Sequence, residues 1–310
     1  MKFSKDVGTK LSNFEKFFLK FLFISIYLTG SITKFINFKF YYNLSDLISK
    51  LIPKNILYTI KLTNDINFSF YFHDPYYNRL INKDFEYEPE IKNVLKKIKN
   101  LKYLFLDVGA NYGYWSLAAS SKNIGSKKVI AVEPLKKSFG MCKINCKLNK
   151  SRFALINKAV SSSRKKKYLF IDKHSISAVG STLKKPMNNS LSKVLVDTIT
   201  IDDLLHKYSK FKYFVIKIDV EGEEINCFKG AKKIFKKKTL IIYEDHASDN
   251  KHQTTNYLMK NGYKIFYNFK NRNIIINKVS ELKKYKKIKS KGYNFFATRS
   301  KELISYFQND

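Results

Sequence analysis

From Lys102 onward, apolar segments of strand length alternate with segments of helical periodicity. This alternation restricts the fold more than any other feature, because strands joined by helices pair in parallel and need cover on both faces. The sequence therefore predicts an α/β fold with a mostly parallel sheet and helices on both faces. The predicted strands are 103–107, 129–133, 153–160, 214–219, 240–244, 263–266 and 294–298, with an antiparallel insertion at 167–171 and 194–198. The predicted helices begin near 114 and cover 136–148, 201–208, 223–235 and 253–261.

The turn after the first strand has the residues of a nucleoside-binding site. Asp107 precedes Gly109, Asn111 and Gly113, and Glu133 ends the next predicted strand. In such sheets, ligands bind at the carboxyl ends of the strands, where the strand order switches. We expect the glycines to let the backbone approach a ligand and Glu133 to accept hydrogen bonds from two ribose hydroxyls.

Motif spacing separates the possible cofactors. A dinucleotide motif needs G-x-G-x-x-G, but positions 111 and 114 are Asn and Tyr, and no G-x-x-x-x-G-K-S/T occurs. An acid before the first glycine suits S-adenosyl-L-methionine, whose amino acid end is cationic, and the helix N-terminus near Gly113 can receive its carboxylate. An ordinary strand-to-helix turn is the alternative.

Two later strands also end in polar side chains. Lys217, Asp219 and Glu221 alternate at the end of one strand, so that they share a side. Charges on a buried strand are costly without partners, which favours a functional site over a solvated edge. The next strand ends in Glu244, Asp245 and His246.

An ordered set of motifs resembles the FkbM-type family of S-adenosylmethionine-dependent methyltransferases. The motifs are LDVGANYGYWS (106–116), VIAVEP (129–134), NKAVSS (157–162), VDTITIDDLL (196–205), VIKIDVEGEE (215–224), FKGA (228–231) and IIYEDH (241–246), with Asn145 and Asn149 between them. The YEPE segment (87–90) and NFFAT (294–298) are more loosely similar.

The resemblance implies a class I methyltransferase fold, with a seven-stranded sheet whose last strand is antiparallel. It also implies methyl transfer to oxygen, on a hydroxyl of a sugar or a secondary metabolite. By this resemblance Asp107, Gly109, Asn111 and Gly113 line the methionine end of the cofactor, Glu133 holds the ribose and Ala159 flanks the adenine. Asp219, Glu221 and His246 are then expected to face the methyl acceptor.

Transfer to a hydroxyl needs a base. His246 is the first candidate, since an imidazole titrates near neutral pH, and Asp219 is the second. Lys217 and Glu221 are expected to pair with each other. Carboxylates with one imidazole at Asp219, Glu244 and His246 suit Mg or Mn, but nothing in the spacing demands a metal, and none is expected.

The charge of +34 suggests acidic partners and motivates an RNA methyltransferase as the main alternative function. Only five of the 59 basic residues are arginine, the residue that usually reads phosphate and bases. Because Lys, Asn, Ile, Phe and Tyr share A/T-rich codons, codon bias explains the charge better, and we expect no nucleic-acid partner. The three cysteines fit a reducing cytoplasm.

The N-terminal segment differs from the rest. Its longest uncharged run, Phe21–Thr33, is shorter than the roughly 20 residues of a membrane span, and no A-x-A cleavage pattern follows it. A helix packed on the domain is the favoured prediction. The alternatives are an interfacial helix on anionic lipid through residues 14–40, or a span. A non-catalytic membrane-surface module is a further alternative function.

Three regions are predicted: an N-terminal extension (1–55), a hairpin and helix (56–100) and the catalytic domain (101–300). The hairpin covers 57–72 with a turn at Asn64 and Asp65, and a second turn begins at Asp74. A helix begins near Glu86, and the Lys-rich stretch 278–291 is expected to be a solvated loop.

Overall fold

The computed structural model describes residues 2–5, 10–36, 38, 40–172, 181–182, 191–220, 222–246, 249–269, 272–287 and 292–308. The N-terminal region contains an antiparallel sheet with two helices beside it. In chain order its elements are β1 (Lys2–Lys5), α1 (Asn13–Thr33), α2 (Tyr41–Ser49), β2 (Ile56–Thr63) and β3 (Ile66–Tyr71). The predicted hairpin is therefore present. Ser12 and Glu15 form a capping box that fixes the start of α1.

The remaining helices of the described chain follow the hairpin. They are α3 (Pro89–Lys97), α4 (Tyr114–Ser120), α5 (Lys136–Leu148), α6 (Ile201–Leu205), α7 (Glu224–Lys229), α8 (Gln253–Lys260), α9 (Leu282–Tyr285) and α10 (Lys301–Gln308). The helix predicted at 223–235 is shorter, since α7 ends at Lys229 and Gly230 caps it. A Cβ at Gly230 would lie 2.4 Å from the carbonyl oxygen of Ser161, so this position requires glycine.

The central sheet is mostly parallel, as predicted. Its strands are β4 (Tyr103–Val108), β5 (Lys128–Val132), β6 (Ala154–Ile156), β11 (Tyr213–Ile218), β12 (Lys238–His246), β13 (Lys264–Phe269), β14 (Arg272–Ile276) and β15 (Gly292–Thr298). Their order is β14-β13-β15-β12-β11-β4-β5-β6, and β15 is antiparallel to both neighbours. The described sheet thus has eight strands, one more than the seven expected, since β14 extends the edge.

The insertion forms a small separate sheet of β7 (Ala159–Val160), β8 (Lys166–Asp172), β9 (Ser181–Thr182) and β10 (Leu191–Ile199). β8 and β10 pair antiparallel, as predicted.

Two hydrophobic clusters lie on opposite faces of the central sheet. Along β4, Phe105 belongs to one cluster and Leu104 and Leu106 to the other, as period-two alternation requires. The first cluster also contains Leu22 of α1 and Phe68 of β3. The N-terminal region therefore shares its core with one face of the catalytic sheet.

Asparagines of α5 attach the hairpin to this face. The side-chain amide of Asn145 pairs with both backbone groups of Ser69, at 2.7 and 2.8 Å, and that of Asn149 pairs with Asn67. These two asparagines of the motif set thus satisfy the edge of β3.

The stretch 278–291 is not the solvated loop that was predicted. Its described part contains α9, and Lys286 is buried in an ion pair with Asp245, beside His252. The prediction failed because it used composition alone. The buried carboxylate of Asp245 on β12 needs a cation beside it, and Lys286 supplies this cation.

Candidate active site

A cavity of about 1050 Å³ opens at the carboxyl ends of β4, β5, β11 and β12. In the sheet, β4 lies between β5 and β11. The chain therefore places β5 and β6 on one side of β4, and later places β11 and β12 on its other side. The cavity therefore lies at the topological switch point, where α/β sheets bind ligands. Seven of the site residues expected from the sequence line this cavity: Asp107, Gly109, Asn111, Glu133, Ala159, Asp219 and His246.

The loop after β4 depends on left-handed backbone at three positions, Gly109 (φ 77°), Asn111 (φ 50°) and Gly113 (φ 84°). A Cβ at Gly109 would lie 2.0 Å from the carbonyl oxygen of Asp219. A Cβ at Gly113 would lie 2.8 Å from Sγ of Cys142. The close approaches that require glycine are therefore to neighbouring protein atoms, and Gly113 packs against α5 beside the cavity.

Glu133 holds this loop to the end of β5. Its two carboxylate oxygens accept hydrogen bonds from the backbone N–H groups of Asn111 and Leu135, both at 2.9 Å. The side chain is only 4% exposed, and burial raises its pKa to about 7. Each oxygen retains a second lone pair for a donor in the cavity.

Two buried oxygen atoms, one at the end of β4 and one in the loop after it, have no hydrogen-bond partner among the described residues. They are Oδ1 of Asp107 and Oδ1 of Asn111. The other oxygen of Asp107 accepts a hydrogen bond from the hydroxyl of Ser116 at 2.7 Å. Burial raises the pKa of Asp107, although the charge of Lys217 opposes this. Such orphaned acceptors are rare in folded proteins and fit donors supplied by a ligand, such as an ammonium group.

The β5 side of the cavity has an apolar wall. Ala159 and Val160 of β7 line it together with Leu169 of β8. This wall lies beyond Glu133, where a planar base could pack. The position of Ala159 is therefore compatible with the adenine contact that the resemblance implies.

The end of β11 carries a buried ion pair. Nζ of Lys217, which is 3% exposed, lies 2.7 Å from Oδ2 of Asp219. Burial alone would lower the pKa of Lys217, but the carboxylates of Asp219, Glu88 and Asp107 raise it above its ordinary value. Asp219 is therefore a partner of Lys217 that was not expected. The expected pairing of Lys217 with Glu221 lies outside the described residues.

The end of β12 places alternate side chains on opposite sides of the sheet. Glu244 and His246 line the cavity, and Asp245 points away into its ion pair with Lys286. A Cβ at Gly292 of the adjacent strand would lie 1.3 Å from Oε1 of Glu244. The glycine therefore leaves room for this carboxyl at the cavity wall.

Sequence reasoning missed Glu88 as a site residue. It precedes α3 with a left-handed backbone (φ 45°), an uncommon conformation for a residue with a side chain. Its carboxyl oxygens accept hydrogen bonds from Nε1 of Trp115 and from Nδ2 of Asn294, the latter at 2.9 Å. Burial raises its pKa to about 7, with Lys217 opposing and Asp219 adding to the shift. The YEPE similarity was the one available signal.

The sequence analysis also gave no functional role to the turn at Asp74. It is a turn, as predicted, because the Asp74 carbonyl accepts a hydrogen bond from the N–H of Tyr77 at 3.2 Å. Pro75, Tyr76 and Tyr77 nevertheless line the cavity. No set of three or more His, Cys, Asp or Glu side chains in the described ranges is arranged to hold a metal ion.

Comparison with known proteins identifies the family. A model of the methyltransferase FkbM domain matches residues 107–265, about half of the chain. No curated protein matches the chain. The matched residues run from the end of β4 into β13.

Solved structures give distant likenesses. A methyltransferase FkbM from Methylobacillus flagellatus is 16% identical with a TM-score of 0.42, and the match covers 64% of this chain and 44% of that one. The chain therefore spans less than half the length of that protein. A precorrin-6y C5,15-methyltransferase from Geobacter metallireducens is 12% identical (TM-score 0.38; 67% and 85% covered). An S-adenosylmethionine-dependent O-methyltransferase from Thermotoga maritima is 12% identical (TM-score 0.37; 69% and 66% covered). Because the family model matches about half of its residues, the chain belongs to the FkbM methyltransferase domain family.

Proposed function

We propose that the protein is an S-adenosyl-L-methionine-dependent O-methyltransferase that methylates a hydroxyl of a small molecule or glycan. One observation carries the proposal. Two buried carboxyls, Asp107 and Glu133, meet at the switch point with unused acceptor atoms, and the cluster around Lys217, Asp219 and His246 adjoins them in the same cavity. The family assignment supports the reaction class.

The residues present fit this cofactor. Glu133 has free lone pairs for the ribose hydroxyls, and Asp107 has an oxygen, without a hydrogen-bond partner among the described residues, for the amino group. Ala159 belongs to the apolar wall on the adenine side. A cavity of about 1050 Å³ is large enough for a cofactor and an acceptor together.

When bound, S-adenosylmethionine supplies a methyl group that its sulfonium already activates. The chain must then position the acceptor oxygen and receive its proton. His246 is the first candidate for this base. Asp219 is the second, because Lys217 already occupies one of its oxygens. Glu88 joins them as a residue that can orient the acceptor hydroxyl, since each of its bonded oxygens keeps a lone pair.

The lining favours a hydroxyl donor over RNA. Glu88, Glu90, Asp219 and Glu244 all line the acceptor end, and carboxylates repel phosphates but accept hydrogen bonds from hydroxyls. The three cysteines are free and buried, in keeping with a cytoplasmic location.

Methyl transfer from labelled S-adenosylmethionine to a panel of hydroxylated glycans and to RNA tests the proposal. His246→Ala or Asp219→Asn is expected to reduce turnover by about 10²- to 10⁴-fold with cofactor binding retained. His206→Ala, at an exposed histidine outside the cavity, is the matched control. Full activity in both site variants would refute the assigned bases, and transfer to RNA alone would refute the acceptor class.

A further inference from the structure

Helix α1 is apolar on two opposite sides. Its inner side packs against the domain through Leu19, Leu22 and Ile26, all of them buried. Its outer side exposes a stripe of large apolar residues spaced three or four apart, here called the outer stripe: Phe14, Phe17, Phe21, Ile24, Leu28 and Ile32. This spacing places them on one face of the helix.

The outer stripe is exposed to an unusual degree. Phe17 is 71% exposed and Ile32 is 70% exposed, and Phe35, just beyond the helix, reaches 82%. Leu44 and Leu47 are also exposed, on helix α2, which packs against α1. Folded proteins rarely leave a contiguous apolar patch in water, and such a patch indicates an interaction surface.

The charge around the stripe is positive. Residues 1–55 contain nine lysines and three acids. Two of these acids are already paired, Glu15 with Lys5 at 2.8 Å and Asp46 with Arg79 at 2.5 Å. Lys16 is among the exposed lysines of α1. An apolar stripe with a surplus of lysine matches the surface of a bilayer that contains anionic lipid.

The attachment of α1 favours an orientation along the membrane rather than across it. Although its longest uncharged run is short, the helical segment Asn13–Ile36 is long and apolar enough as a whole to cross a membrane. However, Nδ2 of Asn82 donates hydrogen bonds to the Tyr27 carbonyl and to the Ser31 hydroxyl, both at 3.0 Å. If α1 crossed the membrane, these hydrogen bonds would be broken, and the buried residues on the inner side of α1 would lose their contacts with the hydrophobic core. A helix bound on one side and apolar on the other can lie in the interface without either loss.

The cavity opens beside this surface. Ile36 and Tyr42 line the cavity that contains Asp219 and His246, and both are about half exposed. The guanidinium of Arg79 lies 4.3 Å from the centre of the Tyr42 ring, and Arg79 lines the same wall. Ile36 follows α1 and Tyr42 belongs to α2, so one wall of the cavity is formed by the same segment that carries the exposed apolar residues.

We propose that the outer stripe docks on an anionic bilayer surface and that the acceptor is a membrane-borne amphiphile with a hydroxylated head group. The first part of the proposal, docking on the bilayer (here called the docking half), is argued from α1 and α2 alone. The acceptor half rests on the proposed function. The apolar portion of the amphiphile would contact Ile36 and Tyr42, and its head group would reach the acceptor end of the cavity.

Co-sedimentation of the full chain with vesicles tests the docking half. Phosphatidylcholine vesicles with phosphatidylglycerol are expected to bind the protein, and pure phosphatidylcholine vesicles to bind it more weakly. The triple variant F17S/F21S/L28S should bind at least about tenfold more weakly. I144S/L148S, which alters half-exposed apolar residues of α5, is the matched control and should bind as the wild type does.

Equal binding by the triple variant and the control would overturn docking. So would self-association of the wild type that the triple variant abolishes, without vesicle binding, because a second copy would then cover the stripe. Cofactor binding is followed separately by the fluorescence of Trp115, the single tryptophan, which lines the cavity. If the folded protein does not bind the cofactor, the proposed function is refuted, and the conclusion from the vesicle experiment is unaffected.

The acceptor half has its own test without membranes. Dodecyl maltoside below its micelle concentration is compared with maltose, in the presence of S-adenosylhomocysteine, through Trp115 fluorescence. The amphiphile is expected to saturate at a concentration at least about tenfold lower, because its chain buries apolar area. Ile36→Asn should reduce this advantage, and F17S/F21S/L28S should leave it unchanged. Equal binding of the two sugars would overturn the acceptor half.

Discussion

Replacing Glu133 by Gln removes a charge at the centre of the proposed cofactor site while keeping the side-chain volume. In the structure both carboxylate oxygens accept a backbone N–H, from Asn111 and from Leu135. A glutamine offers one oxygen and one NH₂ group. One of the two backbone N–H groups, of Asn111 or of Leu135, then points at the NH₂ group and loses its acceptor. The glutamine also has fewer lone pairs to accept hydrogen bonds from the ribose hydroxyls.

The size of the effect follows from these contacts. A hydrogen bond to a charged acceptor contributes about 1.5–3 kcal/mol, so its loss should weaken cofactor binding by roughly 10- to 150-fold. The unpaired backbone N–H should also lower the free energy of unfolding by about 1–3 kcal/mol. That loss leaves a domain of ordinary stability folded.

The pH dependence gives a second readout. Because burial raises the pKa of Glu133 to about 7, its carboxyl is protonated in the folded protein at mildly acidic pH. Hydroxyl donors stabilise the carboxylate, so wild-type affinity should rise from about pH 6 to about pH 8. The rise should be smaller in Glu133→Gln, where this group no longer titrates.

Calorimetric titration with S-adenosylmethionine measures the affinity, and thermal unfolding confirms the fold of each variant. Glu281→Gln, at an acid that does not line the cavity, is the matched control. An unchanged dissociation constant and pH profile in a folded Glu133→Gln protein would refute the assigned role of this residue.

Two further predictions concern stability. Gly109→Ala should cost roughly 2 kcal/mol or more, because the backbone is left-handed and the new Cβ would collide with the Asp219 carbonyl; unchanged denaturant unfolding would contradict this. Lys286→Ala should cost about 3–5 kcal/mol by leaving the Asp245 carboxylate buried without its ion pair. Lys284→Ala, on the exposed side of α9, should change the free energy of unfolding little, and equal effects of the two lysine variants would show that the buried pair adds nothing.

The central sheet was predictable because its strands are apolar runs bounded by turn residues. Parallel pairing then places the ends of neighbouring strands together, which is why Asp107, Glu133, Asp219 and His246 could be assigned to one site before any coordinates. Period two also placed Lys217 and Asp219 on the same side, although their ion pair was not foreseen.

Other features depend on contacts between distant segments and leave no periodic signal. Glu88 reaches the cavity because Trp115 and Asn294, far apart in sequence, both donate to it. Lys286 is buried because Asp245 needs a cation, and lysine-rich composition alone suggests solvent. Each of these side chains is selected by its tertiary partner.

The N-terminal helix shows a different limit. Its sequence predicted a helix packed on the domain, and Leu22 and Ile26 are indeed buried. The uncharged run does not tell which apolar residues face inward, because both sides of α1 are apolar. Tertiary contacts, such as those of Asn82 with Tyr27 and Ser31, fix the rotation that leaves the outer stripe exposed.

Calorimetric titration of the wild-type protein with S-adenosylmethionine, with Trp115 fluorescence recorded in parallel, tests the proposed cofactor site most directly. We expect one site per chain with micromolar affinity and a change in Trp115 emission, since Trp115 and Asp107 line the same cavity. Absence of both signals in a folded protein would contradict the claim that the orphaned oxygens of Asp107 and Asn111 belong to a cofactor site.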